Sequence, residues 1–125
     1  MAIEPKKILM MLTSGPETPE RCAAPFFFAT GAAKMGHEVT LFFTMQATQL
    51  LKRGVAEQVC AKQGGRPVSQ FIRNALDAGV KFYICSASLE LNDISQAELI
   101  EEADNLVSSI FLTKKGLESD LVLSF

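Results

Sequence analysis

"KKILMML", Lys6 to Leu12, is an apolar run of strand length in which hydrophobic residues follow one another without alternation. A strand with one face in water alternates polar and apolar side chains. A continuous run suits a strand buried on both faces, as in a parallel sheet. "HEVTLFF", His37 to Phe43, and "VKFYI", Val80 to Ile84, read as second and third strands. Helical signals separate them. Thr18 is placed to N-cap a helix, with Pro19 at its first position and Glu20 against the positive end of the dipole. That helix runs through "RCAAPFFFATGAAKM" and stops at Gly36, suited to a left-handed C-terminal residue. Pro25 falls well inside it and predicts a kink or a loosened first turn.

Further along, "TMQATQLLKRG" predicts a shorter helix ended by Gly54. Val68, Phe71, Ile72, Ala75 and Leu76 recur at helical spacing before Gly79. Ser95 and Glu98 form a capping-box pattern, with Ile94 and Leu99 as its hydrophobic staple, ahead of a helix "QAELIEEA". "NLVSSI" reads as a fourth strand, "SIFLTKKGLE" as a last helix and "DLVLSF" as a fifth strand. Strands alternating with helices imply right-handed crossovers and an α/β fold, with a mostly parallel sheet between helices on both faces. In such sheets ligands bind outside the carboxyl ends of the strands, where strand order reverses. Three segments fall at that end: the Thr13–Pro19 turn, which contains Ser14, the Thr44–Gln46 turn, and the Cys85–Ser88 turn. His37 falls at the opposite end, where a surface role is expected.

The 125 residues suit one domain, 1–125, with a core that needs no disulfide staples. Hydrophobic residues make up 48% and charged residues 21%, as in ordinary globular proteins. A formal net charge of −2, no Trp and one Tyr argue against nucleic acid or an anionic membrane as partner. No apolar stretch reaches the length of a membrane span, and "MAIEPKK" has no signal-peptide pattern, so a cytoplasmic location is expected. Neither G-x-G-x-x-G nor G-x-x-x-x-G-K-[ST] is present, and a serine triad would need a histidine at the other end of the sheet.

Thiol chemistry or non-covalent binding remains. Cys22, Cys60 and Cys85 form no C-x-x-C and no zinc-like spacing with His37, the single histidine, so neither a metal nor an organic cofactor is expected. Cys85 ends the third strand at the edge where α/β sites are built. The amides of Ser86, Ala87 and Ser88 are placed to turn toward its sulfur and favour a thiolate, with the serine hydroxyls as further donors. The competing reading packs Cys85 inward and leaves the serines only to make the turn. Cys22, inside the first helix, and Cys60, in a polar segment between Lys52, Arg53 and Arg66, read as packing and loop residues.

"ATGAAKMGHEVTLFFTMQATQLLKRG", Ala29 to Gly54, resembles the signature region of the DsrE/DsrF-like proteins, particularly the DsrE-type sulfurtransferase or peroxiredoxin-like branch. "GVKFYICSASLELNDIS", Gly79 to Ser95, is similar to the cysteine loop of that branch, and "DLVLSF" also fits. The resemblance implies a three-layer α/β/α, DsrE/F-like fold with a mainly parallel five-stranded sheet, a cytoplasmic location, and assembly into trimers or hexamers. It implies a sulfur carrier or sulfurtransferase: Cys85 as the catalytic thiol holds sulfane sulfur as a persulfide or thiosulfonate and relays it from a donor protein to an acceptor protein. Ser86, Ala87 and Ser88, with Ser14 from the first turn, are the candidate substrate-binding residues. The alternative is a non-catalytic oligomeric binding module with a buried structural cysteine. A peroxide-reducing thiol enzyme would need an arginine or similar group beside the thiolate, which the sequence does not place. Assembly has its own signal. Phe26, Phe27 and Phe28 spread over about 200° of a helix, more than one core-facing stripe covers, so one is expected at a subunit contact or under a loop.

Overall fold

The sheet is five-stranded and wholly parallel, in the order β4-β3-β2-β1-β5. It belongs to a computed structural model describing residues 4–125; residues 1–3, the start of the segment read as lacking a signal peptide, lie outside the described residues. In chain order the elements are β1 (Lys7–Leu12), α1 (Ala24–Lys34), β2 (Glu38–Phe43), α2 (Val68–Asp77), β3 (Lys81–Cys85), α3 (Ser86–Leu91), β4 (Leu106–Val107), α4 (Ser109–Glu118) and β5 (Leu121–Ser124). The continuous apolar strands are buried on both sides, as their composition requires. Ile8, Met10 and Leu12 of β1 and Leu41 and Phe43 of β2 face the larger core, which takes Phe26 and Ala29 from α1 and Val68, Ile72 and Ala75 from α2. Leu9, Phe42 and Cys85 face the other way, against Phe111 and Leu112 of α4. This is the three-layer α/β/α arrangement. Phe26, Phe43 and Phe82 meet at ring-centroid distances of 4.9–6.0 Å in the centre of the larger core. Each such buried ring contributes about 1.5–3 kcal/mol.

Local structure departs from the sequence expectations in four places. Residues Pro19–Arg21 form a separate 3₁₀ turn, and α1 begins at Ala24 with Pro25 in its first turn. Pro25 therefore starts the helix rather than kinking it, since its missing N–H falls where no intrahelical partner is needed. Thr18 precedes the 3₁₀ turn without a side-chain capping bond; its hydroxyl reaches the Gly15 carbonyl at 3.4 Å. The segment read as a helix before Gly54 is a 3₁₀ run, Met45–Leu51.

The remaining departures flank the cysteine. The serines after Cys85 do not form a turn: they open α3, which starts directly from the strand. "QAELIEEA" is helical only over Gln96–Glu98, although the capping box between Ser95 and Glu98 forms as expected. Beyond Glu98 the backbone pairs across the fold instead, with Lys52 bridged to Leu99 and the Ile100 amide on the Leu51 carbonyl at 2.8 Å. Of the three consecutive phenylalanines, Phe26 is buried, while Phe27 and Phe28 are 63% and 53% exposed.

Candidate functional site

Parallel strands end at the same edge, and the register sets what meets there. Phe43 of β2 lies beside Ile84 of β3, which brings the next residues, Thr44 and Cys85, side by side. Cys85 also pairs with Val107 of β4. The chain runs β1 to β4 in one direction and returns to the far side of β1 for β5, so strand order reverses between β1 and β5. Cys85 lies away from that reversal, at the carboxyl ends of β2 and β3.

Cys85 is 8% exposed. Its side chain faces the smaller apolar cluster, with Leu9, Phe42, Met11, Tyr83, Val107, Phe111 and Leu112 around it. Both alternatives left open by the sequence meet here, because an apolar wall backs a sulfur that also faces a ring of donors. Burial alone works against a thiolate. The hydroxyl and amide of Ser88, the hydroxyl of Thr44 and the amide of Ala87 more than offset it and hold the thiol below its ordinary value. No carboxylate, ammonium or guanidinium contributes to that shift.

The donors are themselves held. Ser88 is buried, and its Oγ accepts the Met45 amide at 2.8 Å and lies 3.1 Å from Thr44 Oγ1. Met45 has φ 52°, a left-handed conformation that costs a non-glycine residue of order 1 kcal/mol or more and persists only where surrounding contacts impose it. Gly15 closes the third side. A Cβ there would stand 2.2 Å from the Gln46 carbonyl oxygen, so only glycine lets the loop after β1 pack on the loop after β2.

Of the residues singled out in the sequence, Cys85, Ala87 and Ser88 come together, Ala87 through its backbone amide. Ser86 is exposed and Ser14 half-buried in the loop after β1; neither hydroxyl makes a hydrogen bond among the described residues. Thr44 was placed at this edge as the start of the Thr44–Gln46 turn, but not among the candidate substrate-binding residues.

The other thiols differ in kind. Cys22 is 1% exposed and acts as a donor, its Sγ reaching the carbonyls of Gly15 at 3.1 Å and Thr18 at 3.4 Å. Burial, with Glu17 and Glu20 nearby, pushes it up to about 11. Cys60 is half-buried and bridged to Pro67 through its backbone. Of the cations near it in sequence, Lys52 pairs with Glu98 at 3.4 Å, and Arg53 binds the carbonyls of Leu99 and Ala97. His37 accepts the Lys6 amide on Nδ1 at 3.0 Å, at the far end of the sheet. Among the described residues no group of His, Cys, Asp and Glu is arranged to hold a metal, and no helix is long and apolar enough to cross a membrane.

Comparison with known proteins bears on this arrangement. A model of the DsrE/DsrF-like family matches residues 6–125. The sulfur carrier protein DsrE2 of Allochromatium vinosum is 24% identical over 160 aligned positions, covering 97% of this chain and 99% of that protein. An uncharacterized protein of Methanocaldococcus jannaschii is 30% identical over 96 residues, and the match spans 76% of this chain but about a third (34%) of that relative's length. In three dimensions the ychN protein of E. coli superposes with a TM-score of 0.80 at 20% identity, over 96% of this chain and 99% of that one. A protein of unknown function from Methanobacterium thermoautotrophicum gives 0.66 at 12% identity, over 98% and 100% of the two chains. At these identities the structural matches speak to the fold alone.

Proposed function

The chain belongs to the DsrE/DsrF-like family, and from that premise we propose that it is a sulfur carrier whose working thiol is Cys85. What carries this reading is the place of Cys85, at the end of β3 beside Thr44 and directly before α3, with neighbouring hydroxyls and amides holding its thiol below the ordinary value, at the position where the family resemblance puts the active cysteine. The relationship to the DsrE2 sulfur carrier supports a role in sulfur relay.

The chemistry balances without a metal or an external oxidant. The Cys85 thiolate attacks the sulfane sulfur of a donor persulfide. A bond forms between Cys85 Sγ and that sulfur, the donor's S–S bond breaks, and its electron pair stays on the donor sulfur. The donor takes up the proton of the transferred sulfhydryl and leaves as a thiol, so Cys85 now carries a persulfide anion. An acceptor thiol gives its proton to this persulfide and, as thiolate, attacks the terminal sulfur; the S–S bond to Cys85 breaks and Cys85 departs as thiolate. The same donors that favour the thiolate make it a good leaving group in this second step. Tetrathionate would load the same thiol with a thiosulfonate group: Cys85 Sγ bonds to an inner sulfur, the central S–S bond breaks and thiosulfate leaves.

In this reading the protein works in the cytoplasm, as a single domain, between donor and acceptor proteins. It forms a homo-oligomer, with trimers preferred. Exposed apolar surface supports assembly: β5 is an edge strand presenting Leu121, Val122 and Leu123, and Ile110 and Leu117 of α4 are exposed beside it. Phe27 and Phe28 form a second apolar patch.

The near-complete burial of Cys85 favours the second reading, a binding module with a structural cysteine. Intact mass spectrometry after exposure to polysulfide, thiosulfate or tetrathionate separates the two. A carrier gains sulfur or a thiosulfonate group that reductant removes and that Cys85→Ser abolishes. An unchanged mass with every donor supports the binding module.

A further inference from the structure

The donors around Cys85 come from two separate stretches of chain. Thr44 follows β2, whereas Ala87 and Ser88 belong to α3. One side chain joins the two stretches. The Asn92 amide nitrogen lies 2.8 Å from the Met45 carbonyl, 2.9 Å from Thr48 Oγ1 and 3.0 Å from the Ser88 carbonyl. Its Oδ1 accepts from Gln49 Nε2 at 2.9 Å, which fixes the amide's orientation. We infer that Asn92 is a positioning residue, whose side chain clamps the loop after β2 onto α3 and thereby holds Thr44 and Ser88 beside Cys85. The inference rests on the carrier reading for its purpose, though not for its geometry.

The clamp explains the left-handed Met45. With its carbonyl held by Asn92 and Thr48 and its amide held by Ser88, the residue is fixed from both sides in a conformation it would otherwise leave. That conformation turns the chain directly after Thr44. Without the clamp, among the described residues only the Met45–Ser88 bond and the Thr44–Ser88 contact tie the loop to α3 through polar groups. Asn92 is no catalytic residue, because it does not touch the sulfur. It acts through Met45, Thr48 and Ser88. Tyr83 is the titratable group packed with Cys85 in the apolar cluster, so the thiol is best followed through its own chemistry rather than by ultraviolet absorbance.

The test is the pH profile of Cys85 alkylation, read by peptide mapping, in wild type, Asn92→Ala and Gln49→Ala, with Ile72→Val as a control. Ile72 sits in the α2 core on the opposite side of the sheet from the cluster that holds Cys85. Asn92→Ala should move the half-maximal rate to higher pH and lower the neutral-pH rate about tenfold, the loss expected when donors on a charged group are loosened. Gln49→Ala should shift it less in the same direction. Ile72→Val should lose stability without moving the profile. Superimposable profiles in wild type, Asn92→Ala and Gln49→Ala would overturn the positioning role, as would an equal shift in Ile72→Val. Sulfur loading is scored separately on wild type. A shifted Asn92→Ala profile with no loading supports the clamp and counts against the carrier reading, and loading with unshifted profiles does the reverse.

Discussion

Ser88→Ala removes the hydroxyl that both helps to hold the Cys85 thiol below its ordinary value and anchors the neighbouring loop, and the two consequences are separable. For the thiol, one hydrogen bond to a charged group is lost, worth about 1.5 kcal/mol, or roughly tenfold in the ratio of thiolate to thiol. The amides of Ala87 and Ser88 and the Thr44 hydroxyl remain, so the effect is partial. For the fold, the Met45 amide, 2.8 Å from Ser88 Oγ, loses its acceptor, at a cost of about 1–3 kcal/mol where water cannot replace it. Iodoacetamide labelling of Cys85 across pH, with urea unfolding in parallel, reads both. The pH dependence has a definite sign. A thiol held below its ordinary value in the folded state adds stability that is complete above 9.0 and is lost as pH falls through the lowered value. Wild type should therefore gain stability as pH rises toward 9.0, and Ser88→Ala should gain less. Ser86→Ala, at an exposed neighbour, should match wild type. A Ser88→Ala labelling profile superimposed on that of wild type would refute the donor argument.

Cys22 should behave in the opposite sense. Its raised value means that its contribution to stability is complete below 9.0 and is lost as pH climbs through about 11, so alkaline unfolding above 9.0 should be delayed in Cys22→Ala, and Cys22 should be the slowest thiol to alkylate. Gly15→Ala places a methyl group against the Gln46 carbonyl and should cost about 2–3 kcal/mol in urea unfolding, while slowing Cys85 labelling because the loop beside Thr44 must move. Sedimentation at micromolar concentration should give three times the 13.6 kDa chain mass, and Val122→Lys on the exposed β5 edge should shift it toward monomer; a monomeric wild type would contradict the assembly.

Much of the architecture was legible because it rests on burial. Continuous apolar strands announced a parallel sheet, and the alternation of strand and helix signals along the chain counted five of them. What the sequence hid is where tertiary pairing overrode local preference. "QAELIEEA" carries a capping box and good helix formers, yet its helix stops after Glu98 because Leu99 and Ile100 pair with the chain at Lys52 and Leu51. Cys85–Ser88 looked like a turn because serines follow the cysteine, but Ser88 and Leu89 both turn into the protein and the helix starts at once. The site divides in the same way. Cys85 and the residues next to it in sequence were visible. The Thr44–Gln46 turn was legible at that edge, but the Thr44–Ser88 contact and the tie that Asn92 makes across the loops rest on strand register and a cross-loop amide, which spacing along the chain does not encode.

The central claim is that sulfur travels on Cys85. Peptide mapping of polysulfide-treated protein, quenched by alkylation without reductant, tests it directly. One added sulfur is expected on the peptide containing Cys85, with Cys22 and Cys60 recovered as simple alkylated thiols and the added sulfur lost on incubation with an acceptor thiol. Sulfur accumulating on Cys60 or Cys22 while Cys85 stays unmodified would contradict it.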